Sequence, residues 1–147
     1  MKLDKETREQ LIERLGSPFA NVKLKVDGID VNYQARPYKP LQFCLVPFID
    51  GTFEWRWTRR PEDQGEERDA KIARLFLRPR KRYVTAPGKL KKENRMRKQV
   101  GLEQISPERN TIQTRDLWFC PKALVRHLEK EAQSIEVIED EREPAQA

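Results

Sequence analysis

The feature that most restricts the fold of this chain is a pair of alternating apolar and polar segments that meet at an Asp-Gly pair. Residues 22–26 read Val-Lys-Leu-Lys-Val and residues 29–33 read Ile-Asp-Val-Asn-Tyr, with Asp27-Gly28 between them. Successive side chains of a strand point to opposite faces, so each segment has one apolar face. Asp-Gly favours the positive φ angles of a two-residue turn. The sequence therefore predicts an antiparallel hairpin.

A second hairpin is predicted after an interruption at residues 36–40, which read Arg-Pro-Tyr-Lys-Pro. Residues 41–49 are almost continuously apolar, which is typical of a strand that is buried on both faces or lies centrally in a sheet. Pro47 has no N–H for the ladder and marks a bulge or an edge position. Asp50-Gly51 is a second turn signal, and residues 52–58 alternate again. We expect a meander of four antiparallel strands.

Helical signals flank these strands. Residues 4–15 carry an apolar stripe that Asp4 caps and Gly16 ends. Residues 69–78 fit either a helix or a strand face, and we favour the helix. A further helix is predicted to begin at Pro121, because a missing N–H costs nothing at the first helical position. Its buried stripe is predicted to be Leu124, Val125, Leu128 and Ala132.

Together these elements predict a single α+β domain over residues 1–138. Its antiparallel sheet has four to six strands, with short strands expected at residues 111–119 and 134–138, and the N-terminal and C-terminal helices are expected on one face. Residues 78–110 hold few apolar side chains and are predicted to form a long, basic, partly disordered insert. Residues 139–147 are predicted to form a flexible acidic tail.

The chain lacks the features of membrane and exported proteins. No stretch approaches the roughly 18–20 consecutive apolar residues of a membrane span. The first residues are charged rather than apolar, which indicates no secretory signal and predicts a cytoplasmic location. Cys44 and Cys120 lie far apart and form no metal-binding pair, so both are expected to be reduced, buried thiols.

The charge of the chain is uneven. The net charge is +6, yet residues 1–70 sum to −1 and residues 99–147 sum to −4. Residues 71–98 hold twelve Lys and Arg against the single Glu93, which leaves +11. Like charges at this density repel one another, so such a segment is either solvated or neutralised by a polyanion. Residues 89–100 fit a helix without an apolar face and are expected to be disordered when alone.

Nucleic acid is the partner that this basic block predicts. Lys and Arg that neutralise phosphates release condensed counterions, and the Arg guanidinium can also form bidentate hydrogen bonds to a phosphate. Tyr83 stands beside a basic cluster, where its ring can stack on an unpaired base. No segment matches an element that reads base edges, so binding to DNA or RNA is expected to be weakly sequence-specific. The predicted binding residues are Arg78, Arg80, Lys81, Arg82, Tyr83, Lys89, Lys91, Lys92, Arg95, Arg97 and Lys98.

The predicted strand at residues 52–58 turns three aromatic side chains to one face, namely Phe53, Trp55 and Trp57. They form either a stacking platform for single strands or a core face that packs against the helices. We favour the core, because a chain with 37% apolar residues needs its large apolar side chains inside. The opposite face brings Arg56 beside Arg59 and Arg60, which extends the predicted nucleic-acid surface.

The sequence predicts no catalytic residues, metal or cofactor. It contains no G-x-S-x-G, H-E-x-x-H or phosphate-cradling glycine loop, and His127 is expected to be a partly buried structural residue. The scattered Asp and Glu lack the spacing of a metal-dependent nuclease. The alternative to nucleic-acid binding is a protein-interaction module, an inhibitor or adaptor. Its basic insert docks on an acidic surface of a nucleic-acid-processing protein.

Overall fold

The computed structural model describes residues 2–83 and 85–138. Within these ranges the helices are α1 (Lys5–Leu15), α2 (Glu67–Phe76), α3 (Leu90–Gln99) and α4 (Pro121–Glu131). The strands are β1 (Asn21–Val26), β2 (Ile29–Lys39), β3 (Gln42–Ile49), β4 (Arg78–Tyr83), β5 (Thr111–Asp116) and β6 (Ile135–Ile138). Short 3₁₀ helices lie at Trp55–Thr58, Pro61–Asp63 and Pro87–Lys89. The chain divides into a first unit, Met1–Arg78 with Arg115–Ala147, and a second unit, Pro79–Thr114.

The predicted first hairpin is confirmed. Strands β1 and β2 pair antiparallel, with a register that runs from Asn21 opposite Gln34 to Val26 opposite Ile29. The turn between them has positive φ angles at Asp27 (49°) and at Gly28 (82°), as a two-residue turn of this hand requires. In the paired part of the hairpin the apolar positions are buried, except for the half-buried Ile29, and the polar positions between them are not buried. Local sequence is therefore sufficient for this hairpin.

The four-stranded antiparallel sheet has the order β3-β2-β1-β6. The expectation that residues 52–58 supply its fourth strand is wrong. Only a single bridge between Ile49 and Thr52 forms after the second turn, and the chain then enters the 3₁₀ helix Trp55–Thr58. The fourth strand is β6, which pairs with β1 instead. Residues 52–58 and residues 134–138 both have a pattern that fits a strand. Only the second segment joins the sheet, where it pairs with β1 as β6.

Strand β2 differs from the prediction, whereas β3 agrees with one of the two alternatives predicted for its apolar run and with the edge position predicted for Pro47. Residues 36–40 do not interrupt the strands, because β2 continues to Lys39 through a register shift between Pro37 and Lys39. Strand β3 lies at an edge of the sheet rather than in the centre. It is nevertheless buried at most positions, and the edge location explains how Pro47 is tolerated without an N–H to donate.

The core of the first unit lies between the sheet and the predicted helices, which are confirmed as α1, α2 and α4. Their apolar stripes are buried, including Leu11 of α1 and Leu124 of α4. The carbonyl oxygen of Phe76 accepts hydrogen bonds from the Tyr33 hydroxyl (3.1 Å) and the Trp118 indole (2.8 Å). Two buried donors thereby share one acceptor at the end of α2, so burial of these rings leaves neither polar atom unpaired.

The second unit contains β4, α3 and β5, where the sequence predicted a largely loop-like insert. Strands β4 and β5 form a two-stranded sheet. The described part of this unit contributes no side chain to the buried apolar core. It is held instead by polar contacts. The buried Asn110 side chain accepts a bond from the Thr85 N–H and donates one to the Thr85 carbonyl, both at 2.8 Å.

Among the described residues, no helix combines the length and the apolar character that crossing a membrane requires. The predicted acidic tail at residues 139–147 lies outside the described ranges.

Candidate nucleic-acid interface

Positive charge is concentrated in the second unit. The segment Pro79–Thr114 holds ten Lys and Arg against three Glu, a net +7, and the rest of the chain sums to −1. Two of these Glu pair with arginines of the same unit, Glu93 with Arg97 at 3.2 Å and Glu103 with Arg109 at 3.0 Å. The other eight Lys and Arg of the unit are Arg80, Lys81, Arg82, Lys89, Lys91, Lys92, Arg95 and Lys98, and of these Arg80 also has an interaction with a partner.

Helix α3 sorts its side chains onto two faces. At about 100° per residue, four cations fall within one arc of about 120°. This basic face of α3 comprises the exposed side chains of Lys91, Lys92, Arg95 and Lys98. The opposite arc holds the half-buried side chains of Leu90, Glu93, Asn94 and Arg97. None of the ion pairs found among the described residues involves the basic face, so its charges are offered to solvent or to a ligand.

The opposite face of α3 holds the helix in place. The Asn94 side chain accepts a hydrogen bond from the Ile105 N–H (2.6 Å) and donates one to the Ile105 carbonyl (2.8 Å). Arg97 donates to Glu93 and to the Glu103 carbonyl. Arg97 was predicted as a binding residue, and the structure places it on this anchoring face. The same contacts explain why a helix forms without an apolar stripe.

Strand β4 presents the first predicted cluster. Arg80, Lys81 and Arg82 are exposed, as is Tyr83, which keeps 50% of its surface accessible. Alternation along the strand places Arg80 with Arg82 on one face and Lys81 with Tyr83 on the other. The 3₁₀ helix that leads directly into α3 ends at Lys89, which is also exposed.

Arg78 occupies a different environment from the other predicted binding residues. Its side chain is half-buried, with Nη2 3.3 Å from Oδ2 of Asp116. The guanidinium also lies over the ring of Phe119, 5.3 Å from the ring centroid. Arg78 therefore has structural contacts within the first unit.

The arginines at residues 56–60 do not lie on a strand, because the predicted strand is replaced by 3₁₀ turns. Arg56 is bonded to Glu54 at 2.7 Å and lies 3.3 Å from the buried Asp69. Arg60 bonds to Asp63 at 2.8 Å, and this hydrogen bond raises the pKa of its guanidinium. Arg59 is exposed. Local carboxylates thus neutralise two of these three cations.

Because residues 55–58 form a 3₁₀ helix instead of a strand, the three aromatic rings that were predicted to share one face are separated. Trp57 is buried and donates its indole N–H to Asp69 at 3.0 Å. Phe53 is half-buried, with its ring edge-to-face against both tryptophans. Trp55 keeps 71% of its surface exposed. The expectation of a core position is confirmed for Trp57 and wrong for Trp55, because a 3₁₀ turn, unlike a strand, does not return every second side chain to one face.

The structure also shows the surroundings of the two cysteines and of the histidine. Cys44 is buried, and burial raises the pKa of its thiol. Cys120 is exposed, contrary to expectation, because it precedes α4 and lies off the buried stripe. His127 is partly buried, and a ring nitrogen lies 2.9 Å from the Arg74 carbonyl oxygen. Burial lowers its pKa. In the described ranges no group of three or more His, Cys, Asp and Glu is placed to hold a metal ion.

A second cationic surface was missed by the sequence analysis. A groove of about 480 Å³ between α1 and α4 is lined by Lys2, Arg8, Lys122, Arg126 and Lys130, with one carboxylate, Glu129. That carboxylate is bonded to Arg8 at 2.8 Å. The signal was the spacing of Lys122, Arg126 and Lys130, four residues apart on α4, which places them along one face.

Comparison of the chain with protein-family models, with curated proteins and with solved structures yields no match.

Proposed function

We propose that the protein binds nucleic acid through the basic face of α3 and the exposed cations of β4. The observation that supports this most directly is the distribution of charge in the second unit. Four cations line one face of α3, while Glu93 and the arginine that it pairs with lie on the other. A surface of one sign with its carboxylates turned away attracts a polyanion more strongly than the same charges dispersed would.

The dimensions of α3 suit a phosphate backbone. Lys91 and Lys98 are seven residues apart, which corresponds to about 10 Å along the helix axis. Duplex DNA carries one charge per roughly 1.7 Å of its own axis, so several phosphates lie within that reach. Each phosphate that a Lys or Arg neutralises releases counterions, which makes binding favourable and salt-sensitive.

The expected mode of binding is contact with the backbone and little readout of sequence. Three of the four cations on the basic face of α3 are Lys. A Lys ammonium is a compact point charge and lacks the bidentate geometry of the Arg guanidinium. Such contacts position a protein without specifying bases. Exposed Tyr83 adds a ring for stacking on an unpaired base, and DNA and RNA are both candidate ligands.

In this proposal the protein acts in the cytoplasm without catalysis, metal or cofactor. The second unit serves as a basic insert in an α+β domain whose first and last helices lie on one sheet face. The first unit then provides the stable framework, because it holds the apolar core, to which the described residues of the second unit contribute no side chain.

The test compares two matched triple variants, Lys91→Ala/Arg95→Ala/Lys98→Ala in α3 and Lys122→Ala/Arg126→Ala/Lys130→Ala in α4. Each removes three exposed cations from one helix face, so the two variants have equal net charge. Affinity for labelled duplex DNA, single-stranded DNA and RNA is measured at several salt concentrations. The α3 variant should flatten the slope of log K against log salt on duplex DNA by up to about 2.7, at about 0.9 per phosphate contact.

The α4 variant is the control for net charge. It should retain most of the slope if the second unit is the binding surface. Equal losses in both variants would show non-specific attraction to total charge. Absence of binding to all three nucleic acids at low salt, with the protein folded, would reject the proposal.

A second candidate function is binding to an acidic protein surface, which the exposed apolar side chains of the second unit favour. Exposed fractions are 55% for Met96, 71% for Val100, 57% for Leu102 and 41% for Ile112. Phosphate contacts do not need such side chains, whereas protein interfaces combine apolar anchors with arginine. Pull-down from nuclease-treated lysate separates the two functions, since a protein partner survives nuclease and a nucleic-acid bridge does not.

A further inference from the structure

We propose that the tip of the β2–β3 hairpin inserts Leu41 between stacked bases of a nucleic-acid duplex, a binding mode that rests on the proposed function above. The hairpin arm is defined as residues 36–43. It lies in the first unit and therefore contains none of the residues of the basic face of α3.

The hairpin arm extends beyond its neighbouring strand. Strand β1 pairs with β2 only as far as Gln34, whereas β2 and β3 remain paired up to Lys39 opposite Gln42. All eight residues of the arm are exposed. The ring of Tyr38 packs edge-to-face on Phe119 with centroids 5.0 Å apart, which anchors one side of the arm. The arm is therefore a supported two-stranded ribbon with an accessible tip.

Leu41 is unfavourable at this tip for two independent reasons. Its φ is 61°, in the left-handed region that bulky side chains rarely adopt, and its side chain is fully exposed. The other two hairpin turns of the chain satisfy the same need with Gly28 and Gly51. A glycine in place of Leu41 would remove both the backbone strain and the exposed apolar side chain. Strained residues concentrate at sites of function, so Leu41 points to a ligand outside the chain.

The charge of the hairpin arm defines the class of ligand. Residues 31–49 contain Arg36 and Lys39 and no Asp or Glu, in a chain with 24 acidic residues. Both cations lie behind the apolar tip along the ribbon. A duplex has the complementary order, with phosphates outside and apolar base faces within, and β-ribbons bind in the minor groove as well as in the major groove. Leu and Pro are among the side chains that wedge between base steps, and Pro40-Leu41 occupies the tip.

The experiment uses the full-length protein and DNA duplexes that carry 2-aminopurine at TA steps, where unstacking is easiest. Fluorescence of this base analogue rises when it unstacks, and binding is followed separately by anisotropy of an end label. Wild type is expected to bind and to raise the fluorescence. Leu41→Gly is expected to bind with the same salt slope, to lose the fluorescence rise and to melt at an equal or higher temperature, because glycine suits this φ.

The matched control is Phe19→Ala, which removes an apolar side chain that is 91% exposed outside the hairpin arm. It should leave the fluorescence rise intact. Binding without a rise in wild type, or a rise that persists in Leu41→Gly, overturns the insertion and leaves the proposed function standing. No binding of any duplex overturns the insertion, and the proposed function then depends on the titrations of single-stranded DNA and RNA described above.

Discussion

The indole N–H of Trp57 donates a 3.0 Å hydrogen bond to the carboxylate of Asp69, which is only 5% exposed. This bond joins the 3₁₀ segment after the second hairpin to helix α2. It pairs a buried donor with a buried charge that also faces Arg56. The Trp57 indole N–H therefore depends on Asp69 for its acceptor, whereas Asp69 is paired with Arg56 as well.

Replacing Asp69 with Ala should destabilise the protein. The change leaves the Trp57 indole N–H buried without an acceptor, at a cost of about 1–3 kcal/mol. Asp69→Asn keeps an acceptor oxygen and should be milder. Urea unfolding measures both free energies. Equal stability of the alanine variant and wild type would show that water replaces the carboxylate at no cost.

The two tryptophans of the same segment should respond differently to truncation. Trp57→Ala removes a buried ring and should cost about 3–5 kcal/mol. Trp55→Ala should stay within about 0.5 kcal/mol, because most of that ring is exposed. Thermal melts of the two variants provide the comparison. A larger loss for Trp55→Ala than for Trp57→Ala would contradict the arrangement of this segment.

The Arg8–Glu129 pair should give the protein an acid-sensitive contribution to stability. The hydrogen bond from Arg8 is the largest cause that lowers the pKa of Glu129 from its ordinary value of 4.5. A carboxyl with a lowered folded pKa stabilises the fold above its ordinary pKa, and the contribution is lost as pH falls through the lowered value. Glu129→Gln should therefore melt below wild type at neutral pH. The difference in melting temperature between Glu129→Gln and wild type should shrink as the pH falls below the ordinary pKa of a glutamate.

Exposed Glu136→Gln, which removes the same charge from β6, is the control for the change in net charge in this series. A gap for Glu129→Gln that is unchanged down to the most acidic melt would show that the pair does not act through ionisation.

Amide exchange should be faster in the second unit than in β1 and β2. Helix α3 has no buried side chain, and opening it exposes little apolar surface. Asn94→Ala should speed exchange further in α3 and at Ile105, because it removes both bonds between them. Exchange monitored by mass spectrometry tests this. Protection in α3 equal to that at Leu24 of β1 would show that the unit is part of the cooperative core.

Elements with local determinants were predictable from the sequence. Asp27-Gly28 specifies its own turn, and the flanking alternation specifies which faces are buried. Helix α4 begins at Pro121 and buries the predicted stripe, because the period of its apolar residues depends on no distant partner. The identity of the basic residues of the candidate interface was equally plain, since charge is a property of composition.

The arrangement of those residues depended on tertiary contacts. Arg97 and Lys98 are adjacent in sequence, yet Arg97 lies on the anchoring face, where it donates to the Glu103 carbonyl, and Lys98 lies on the basic face of α3. Arg56 was placed on a strand face by alternation, and the structure draws it to Glu54 and Asp69 instead. Ion pairing joins residues across turns and elements, so linear charge counts do not reveal it.

The sequence by itself determined the first hairpin, the amphipathic helices and the location of the positive charge, because each rests on neighbours within a few residues. Tertiary structure decided which alternating segment became the fourth strand. Residues 52–58 were expected beside β3, whereas β6 pairs with β1 at the opposite edge of the sheet. The segment with Trp57 forms a 3₁₀ helix instead, which buries that indole against Asp69. The short β6 follows directly from the packed helix α4 and takes the edge.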